Sequence, residues 1–311
     1  MPEVKAPLLS LSAKGTLGRQ LTFQGFPGGT RAIEVPLHPD TFTYSQLIQR
    51  LRFLNATDYW RSLSVDEKTA YRSAASGLNI TGYNLCVRQV LSGDIDAGCV
   101  LLLPMLDGAG PTCLDISTYA NHGTIFGATW VTQPSGKHLL TFDAVNDHVD
   151  VAHHASLDLT GPLTIEAIYR LTSWSATGWP IMLCKGDLTD SYFMRYQQVP
   201  PTTTVGSQVN GVGSVSTGGF THDTFWHVLA SYDPVATTFT LYRNGYMVRE
   251  RNRAGVGDTT PRDLHIGSHH TAGNPFGGEI FCVRLLSRAT SAAAALARFK
   301  SLQRLFPAIL Q

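Results

Sequence analysis

The sequence predicts a mainly β protein: a two-sheet antiparallel jelly-roll sandwich, preceded by a small β-hairpin with helices and followed by one helix. Three observations lead to this fold class. Beyond residue 99, short apolar stretches recur at a spacing of roughly 8–12 residues between turn residues, which is typical of a sandwich. From residue 43 to residue 91 the apolar period is helical. Hydrophobic residues make up 43% of the chain and charged residues 15%, as in an ordered protein with a core.

The first element is a β-hairpin. Two alternating stretches, residues 20–24 and 30–35, flank a turn rich in Gly and Pro at 25–29. A hairpin has free strand edges, and such an edge can add to the sheet of a neighbouring protein. Phe23 and Phe26 on this hairpin are therefore candidate residues for docking to a partner.

Three helices follow the hairpin. Leu47, Leu51 and Leu54 recur on one helical face, and Ser64 with Glu67 forms a capping box that starts a second helix. A third helix is predicted from residue 83 to residue 91. Hairpin and helices together form a predicted module of residues 1–96, which is marginal alone and is expected to pack on a partner.

Two aromatic residues of the first helix, Tyr59 and Trp60, are further docking candidates. The arginines of this region, such as Arg50 and Arg61, are offset by Asp58, Asp66 and Glu67, and the net charge of the chain is only +1. A charge distribution of this kind argues against a nucleic-acid partner.

The sandwich is predicted over residues 97–289. Its clearest strand is residues 163–171, where apolar side chains alternate, and its clearest hairpin is residues 237–250, where Asn244 and Gly245 supply the two positive-φ residues of a type I′ turn. After the last strand, the alanine-rich stretch 291–306 predicts a helix that Pro307 ends. Residues 290–311 are thus expected to pack as a helix on the sandwich or on a partner.

Five segments carry a resemblance to a known family. Residues 115–131, 140–149, 157–159, 163–167 and 276–289 resemble, in this order, the concanavalin A-like lectin/glucanase superfamily of laminin-G type. The resemblance implies a jelly-roll sandwich, and this fold hosts lectins, adhesion modules and glycosidases alike. Where the family usually has Gly after a Phe-Asp pair and Asp two places later, this chain has Ala144 and Asn146.

A second resemblance lies near the N-terminus. Residues 59–71 and 81–85 are similar to segments of bacteriophage-type virion proteins, and residues 305–310 resemble the tail of laminin-G proteins in phage-like genomes. The resemblance implies a capsid or tail protein as partner and a place on the virion surface.

The distribution of carboxylates argues against an enzyme. Glucanases of this superfamily usually carry Glu-x-Asp-x-x-Glu, or a variant one residue shorter, on one strand, because glycoside hydrolysis needs two carboxyl groups around the bond. Neither spacing occurs here, and Glu166 and Glu279 are each solitary on their strands. A glycoside hydrolase with an atypical acid pair is kept as an alternative.

Aromatic residues of the irregular middle section are candidates for glycan binding: Trp174, Trp179, Tyr192 and Tyr196. The competing interpretation places Trp179 in the core together with Trp130 and Trp226.

In the loop around residue 145, Asp143 and Asp147 are candidate Ca²⁺ ligands, the only cofactor the sequence suggests. The competing interpretation is that these side chains cap the backbone of their own turn.

The first residues lack the apolar stretch of a signal peptide, and no segment is apolar enough for membrane insertion. The five cysteines form no CxxC pair and are expected to be buried free thiols of a protein made in a reducing cytoplasm.

The leading hypothesis is therefore a virion decoration or adhesion protein. It would be attached by residues 1–96, and its sandwich would face outward and bind cell-surface glycans. A free carbohydrate-binding lectin is the first alternative, and a closed homo-oligomer is compatible with either.

Overall fold

The computed structural model describes the backbone of residues 15–17, 21–26, 29–34, 43–173, 178–199, 202–270 and 273–310. The chain forms two compact units, residues 1–42 and 43–311. The division therefore lies well before the predicted boundary at residue 96, and the three helices belong to the same unit as the sandwich. In the first unit, strands β1 (Gly15–Leu17), β2 (Leu21–Phe26) and β3 (Gly29–Glu34) form an antiparallel sheet that includes the predicted hairpin.

The second unit begins with helices α1 (Tyr44–Ser62), α2 (Val65–Ala74) and α3 (Gly82–Ser92). The predicted capping box of α2 is present: Ser64 Oγ accepts a hydrogen bond from the Glu67 amide at 3.2 Å, and the Glu67 carboxylate accepts one from the Ser64 amide at 2.7 Å. Thr43 caps α1 in the same way. None of the helices in the described part of the chain is long and apolar enough to cross a membrane.

The strands of the sandwich and its last helix follow along the chain. They are β4 (Cys99–Leu103), β5 (Thr112–Cys113), β6 (Gly123–Phe126), β7 (Thr129–Thr132), β8 (His138–Asp143), β9 (His148–Val151), β10 (Leu163–Ser173), β11 (Ile181–Lys185), β12 (Tyr192–Val199), β13 (Thr202–Val209), β14 (Gly213–Gly218), β15 (Trp226–Asp233), β16 (Thr238–Arg243), β17 (Tyr246–Asn252), β18 (Leu264–Ile266), β19 (Gly277–Leu286) and α4 (Ala292–Leu305).

These strands form two antiparallel sheets, which confirms the predicted sandwich. The first sheet has the order β17-β16-β15-β10-β19-β8-β7, with β4 also paired to β19, and we call it the covered sheet. The second sheet has the order β14-β13-β12-β11-β18-β9-β6-β5, and we call it the open sheet. Both names refer to the outer face of the sheet, that is, the face turned away from the core.

The core lies between the two sheets. On β10 the predicted alternation is confirmed, because Leu163, Ile165, Ala167, Tyr169 and Leu171 all belong to the core cluster. The predicted β16–β17 hairpin is also confirmed: Asn244 and Gly245 have φ angles of 51° and 80°, as a type I′ turn requires. Helix α4 lies within the predicted stretch 291–306, with Ser291 as its N-cap, and packs against α1 and β17.

Candidate functional site

Five ionisable side chains from the covered sheet and from helices α1 and α4 contact one another at the outer face of that sheet. We call them the buried ion cluster: Asp58, Glu166, His227, Arg284 and Arg298. Glu166 on β10 is fully buried and binds the Nε atoms of Arg284 on β19 and of Arg298 on α4, the latter at 2.9 Å. His227 Nε2 on β15 lies 3.0 Å from the same carboxylate. Asp58 on α1 accepts from Nη1 of both arginines, at 3.1 and 3.4 Å. The cluster thus joins α1 and α4 to three strands.

The charges of this cluster compensate one another. Burial alone would raise the pKa of Glu166, but Arg284, Arg298 and His227 hold it well below its ordinary value. Burial would likewise lower the pKa of Arg284, yet Glu166 and Asp58 raise it. Two carboxylates therefore face two guanidinium groups in a region closed to water, and their role is to hold the helices on the sheet.

Both glutamates that stand alone in the sequence are engaged with arginine. Glu166 belongs to the buried ion cluster, and Glu279 on β19 accepts from Nε and Nη2 of Arg170 at 2.6 and 2.5 Å. Neither carboxylate is placed to flank a substrate bond on the outer face of the sandwich, because one is enclosed by helices and the other is held in an ion pair.

The outer face of the open sheet has a different character. Along β12, Tyr192, Met194 and Tyr196 point into the core, so the residues between them point outward. On this outer face β12 presents Gln197, and the neighbouring strands β13 and β14 present further polar side chains, all partly or fully exposed: Thr204, Gln208, Ser214 and Ser216. Strands β12 to β14 contain no Asp or Glu. This part of the face is polar and carries no acid.

Next to this polar surface, three side chains form what we call the aromatic–arginine stack: Trp179, Arg195 and Phe193. The guanidinium carbon of Arg195 lies 4.3 Å from the centre of the Trp179 ring and 4.9 Å from the centre of the Phe193 ring. Cation–π attraction to both rings favours the charged guanidinium in this position, although burial lowers the pKa of Arg195. Trp179 is partly exposed, whereas Phe193 is buried beneath the stack.

This arrangement has the chemistry that a sugar requires. The C–H face of a pyranose packs against an aromatic ring, and its hydroxyl groups need donors and acceptors such as amides and hydroxyls. The stack supplies the ring and the planar guanidinium donor, and Gln197, Thr204 and Gln208 supply the polar groups close by on the sheet. Sequence reasoning did not single out Arg195, although its position between Tyr192 and Tyr196 on an alternating strand could have indicated an outward side chain.

The structure corrects two of the four predicted glycan ligands. Tyr192 and Tyr196 are fully buried; the Tyr192 hydroxyl donates to the Leu157 carbonyl at 3.0 Å, and the Tyr196 ring packs edge-on against Tyr169. These rings cannot serve as surface platforms because β12 turns them into the core. Trp174 lies outside the described residues, so Trp179 is the predicted ligand residue that the structure places at the outer face.

The other two tryptophans of the competing interpretation lie at the margin of the core. Trp130 and Trp226 are partly buried and pack against the core cluster. Their indole N–H groups donate to the carbonyls of Gly110 and Thr221, at 2.9 and 3.1 Å. Both therefore act as core residues with a satisfied polar edge.

The loop predicted to bind Ca²⁺ uses its carboxylates within the turn. Asp143 Oδ1 accepts from the Val145 amide at 2.8 Å, and Asp147 Oδ2 accepts from the Asp143 amide at 2.9 Å. Ala144 between them has a φ of 66°, the conformation for which the family has Gly. Among the residues that the structure describes, no group of three or more His, Cys, Asp or Glu is placed to hold a metal. These hydrogen bonds are the ones that the turn-capping interpretation predicts.

The predicted docking residues divide into two groups. Phe23 and Phe26 belong to β2, but their side chains lie outside the described part of the chain. Tyr59 and Trp60 are partly buried: the Trp60 ring meets Tyr71 and Tyr83 edge-on at 6.0 and 5.8 Å. The structure therefore uses the Trp60 ring to join α1 to α2 and α3.

Comparison with known proteins bears on the fold. Residues 143–295 match the family described as the concanavalin A-like lectin/glucanases superfamily. The binding domain of Paraclostridial Mosquitocidal Protein 1 superposes with a TM-score of 0.52 and 12% identity over 66% of this chain and 52% of that one. Trypanosoma rangeli sialidase in complex with sialic acid superposes with a TM-score of 0.52 and 15% identity over 68% of this chain and 34% of that one.

At these identities the likeness concerns the fold, and this chain aligns with only about half or a third of the matched chains. The chain matches none of the curated proteins with which it was compared. The predicted laminin-G-like, lectin-type sandwich is confirmed for the matched segment.

Proposed function

We propose that this protein is a non-enzymatic binding protein that recognises glycans through the outer face of the open sheet. The observation that carries the proposal is the aromatic–arginine stack beside a polar, acid-free surface, on the side of the sandwich away from α1 and α4. Membership of the matched segment in a superfamily of lectins and glucanases supports a carbohydrate ligand. Glu166 and Glu279 are each held in ion pairs with arginine, which favours glycan binding over glycoside hydrolysis as the activity of the protein.

The test of this proposal is a glycan array followed by titration of the strongest ligand. We expect Trp179→Ala to weaken binding by about ten-fold or more, which corresponds to the loss of roughly 1.4 kcal/mol of ring stacking. Tyr246→Ala is the matched control, because Tyr246 is an exposed aromatic residue, 60% exposed, on β17 of the covered sheet. Absence of any glycan ligand, or equal affinity of the two variants, contradicts the proposal. Turnover of an oligosaccharide supports the hydrolase alternative instead.

The second part of the proposal concerns where the protein works. We propose that it decorates a virus-like particle, attached to a capsid or tail protein by residues 1–96, with the open sheet facing outward at the virion surface. The resemblance of residues 59–71 to phage-type virion proteins supports this setting. The five buried free thiols fit assembly in a reducing cytoplasm.

Electron microscopy and gel analysis of purified particles test the setting. We expect a regular copy number of the protein on intact particles, and its loss when residues 1–42, which form a compact unit of their own, are deleted. A closed homo-oligomer would multiply weak glycan contacts on such a surface. Recovery of the protein only as a soluble species contradicts the particle setting and favours the free lectin.

A further inference from the structure

Arg195, in the aromatic–arginine stack, is a partly buried arginine with no carboxylate beside it in the described part of the chain. Arg284 pairs with Glu166, and Arg170 pairs with Glu279 at 2.5 Å. The described contacts of the Arg195 guanidinium are instead the two aromatic rings of the stack. Burial lowers its pKa, and no carboxylate among the described residues raises it. A partly desolvated cation of this kind is stabilised by an anionic partner, which the described chain does not supply.

The sheet around Arg195 is free of acid over several strands. Strands β11 and β18 contain no Asp or Glu, so the first acid of the open sheet in this direction is Asp150 on β9. Three strand spacings separate β12 from β9, which is roughly 14 Å. Asp150 is itself paired with His265 at 2.5 Å. On the other side, β13 and β14 contain no acid either, so the sheet does not neutralise the field at Arg195.

Next to Arg195 the outer face of the sheet presents bare backbone. Arg195 lies opposite Gly206 on β13, and Gly206 lies opposite Ser216 on β14. Thr204 and Gln208 stand two residues to either side of Gly206 and share its face. A glycine within a strand lets another group approach the backbone closely, and here the Ser216 Cβ would lie 2.9 Å from a Cβ at position 206. We call these five residues the Gly206 patch.

We infer that the glycan bound at the open sheet carries a carboxylate, which Arg195 binds at the Gly206 patch while a sugar ring packs on Trp179. The inference rests on the proposed function and names its class of ligand, a uronic acid or another acidic sugar. A planar guanidinium binds a planar carboxylate through two parallel N–H···O hydrogen bonds, which the charges strengthen. The hydroxyl of Ser216 and the amide of Gln208 are placed to bind the sugar hydroxyls.

Isothermal titration calorimetry of the full chain with two matched pairs of probes tests the inference. The first pair is an oligosaccharide of alternating glucuronic acid and N-acetylglucosamine and its carboxyl-reduced form, in which each carboxylate is replaced by a primary alcohol. The second pair is sialyllactose and its carboxyl-reduced form. We expect the acidic member of at least one pair to bind about ten-fold or more tightly than the reduced member, and the difference to shrink in high salt.

Variants of Arg195 locate the carboxylate. Arg195→Gln should abolish the preference for the acidic probe and leave the affinity for the reduced probe unchanged, because the Trp179 ring is retained. Arg195→Lys keeps the charge without the planar fork and should keep part of the preference, and it serves as the test if Arg195→Gln does not fold. Arg249→Gln is the matched control, since it removes an exposed positive charge from β17 of the covered sheet. Thermal unfolding of each variant shows whether it folds.

Three results overturn the inference: equal binding of the acidic and reduced members of both pairs, a preference that the Arg195 variants leave unchanged, or a preference that Arg249→Gln abolishes as well. Equally tight binding of a sulfated derivative of the reduced oligosaccharide would assign the patch to anions in general and overturn the carboxylate. Binding of neutral glycans that Trp179→Ala weakens and Arg195→Gln does not would retain the proposed function and contradict this inference alone. Absence of any glycan ligand on the array contradicts the proposed function itself.

Discussion

The substitution Glu166→Gln tests the buried ion cluster. It keeps the size of the side chain, so it creates no cavity, but it removes the charge that both Arg284 and Arg298 face. The cluster would then hold two guanidinium groups and a single carboxylate, Asp58, in a place without water. Removal of one partner from a buried charge pair costs about 3–5 kcal/mol, because the remaining charge stays desolvated. We expect the free energy of unfolding to fall by this amount, and Tm by on the order of 10 °C.

Denaturant and thermal unfolding, followed by circular dichroism, measure this effect. The matched control is Glu279→Gln, which removes a carboxylate from a partly exposed pair with Arg170 and should cost about 1 kcal/mol or less. Combining Glu166→Gln with Arg298→Met removes one charge of each sign, so we expect the double variant to lose about 1–3 kcal/mol less than the sum of the single losses. A loss below about 1 kcal/mol for Glu166→Gln, with additive single effects, would refute the reasoning.

Four further predictions follow from particular contacts. Because the pKa of Glu166 is lowered in the folded protein, the contribution of Glu166 to stability is complete above the unfolded pKa of about 4.3 and is lost as pH falls through the folded pKa. The difference in unfolding free energy between the wild type and Glu166→Gln should therefore stay constant down to about pH 5 and disappear in stronger acid. A difference that disappears near neutral pH would contradict this prediction. Gly245→Ala would place a Cβ 2.8 Å from the Cβ of Phe299 on α4, at a φ of 80°, and should lower the free energy of unfolding by about 2–3 kcal/mol. The control Gly136→Ala, at a φ of 75° with open space around it, should lower it by about 1 kcal/mol. Equal losses would show that Gly245 is not in close contact with α4. Chelation of divalent ions should leave Tm unchanged, because Asp143 and Asp147 accept backbone amides, and a rise of Tm on addition of Ca²⁺ would show a site after all. Burial raises the pKa of Cys99 and Cys282 to about 12 and encloses all five thiols, so a thiol reagent at pH 8 should label the native protein only after unfolding.

The sandwich could be predicted because its signals are local. The alternation on β10 and the Asn244-Gly245 turn each depend on a few consecutive residues, and both are present in the structure. The capping box at Ser64 is equally local and is also present. Periodicity and turn chemistry act over short distances along the chain, which is why they can be read from one sequence.

The candidate site was harder to predict, because alternation does not say which face is the core. On β12 aromatic residues occupy both faces: Tyr192 and Tyr196 point into the core, and Phe193 points to the outer face. The two tyrosines could therefore not be assigned to a face from their residue type. The attachment of α1 to the sandwich was hard to predict for a different reason. Asp58 pairs with Arg284 and Arg298, which are 226 and 240 positions away in the chain, and no local pattern reports such a contact.

Hydrogen–deuterium exchange with and without the strongest glycan from the array tests most directly that the outer face of the open sheet is the binding surface. We expect the glycan to slow exchange in β12 to β14 and around Trp179, and to leave α1, α4 and β17 unchanged. Protection confined to the Asp143–Asp147 loop or to the covered sheet, with no change in β12 to β14, would contradict the account.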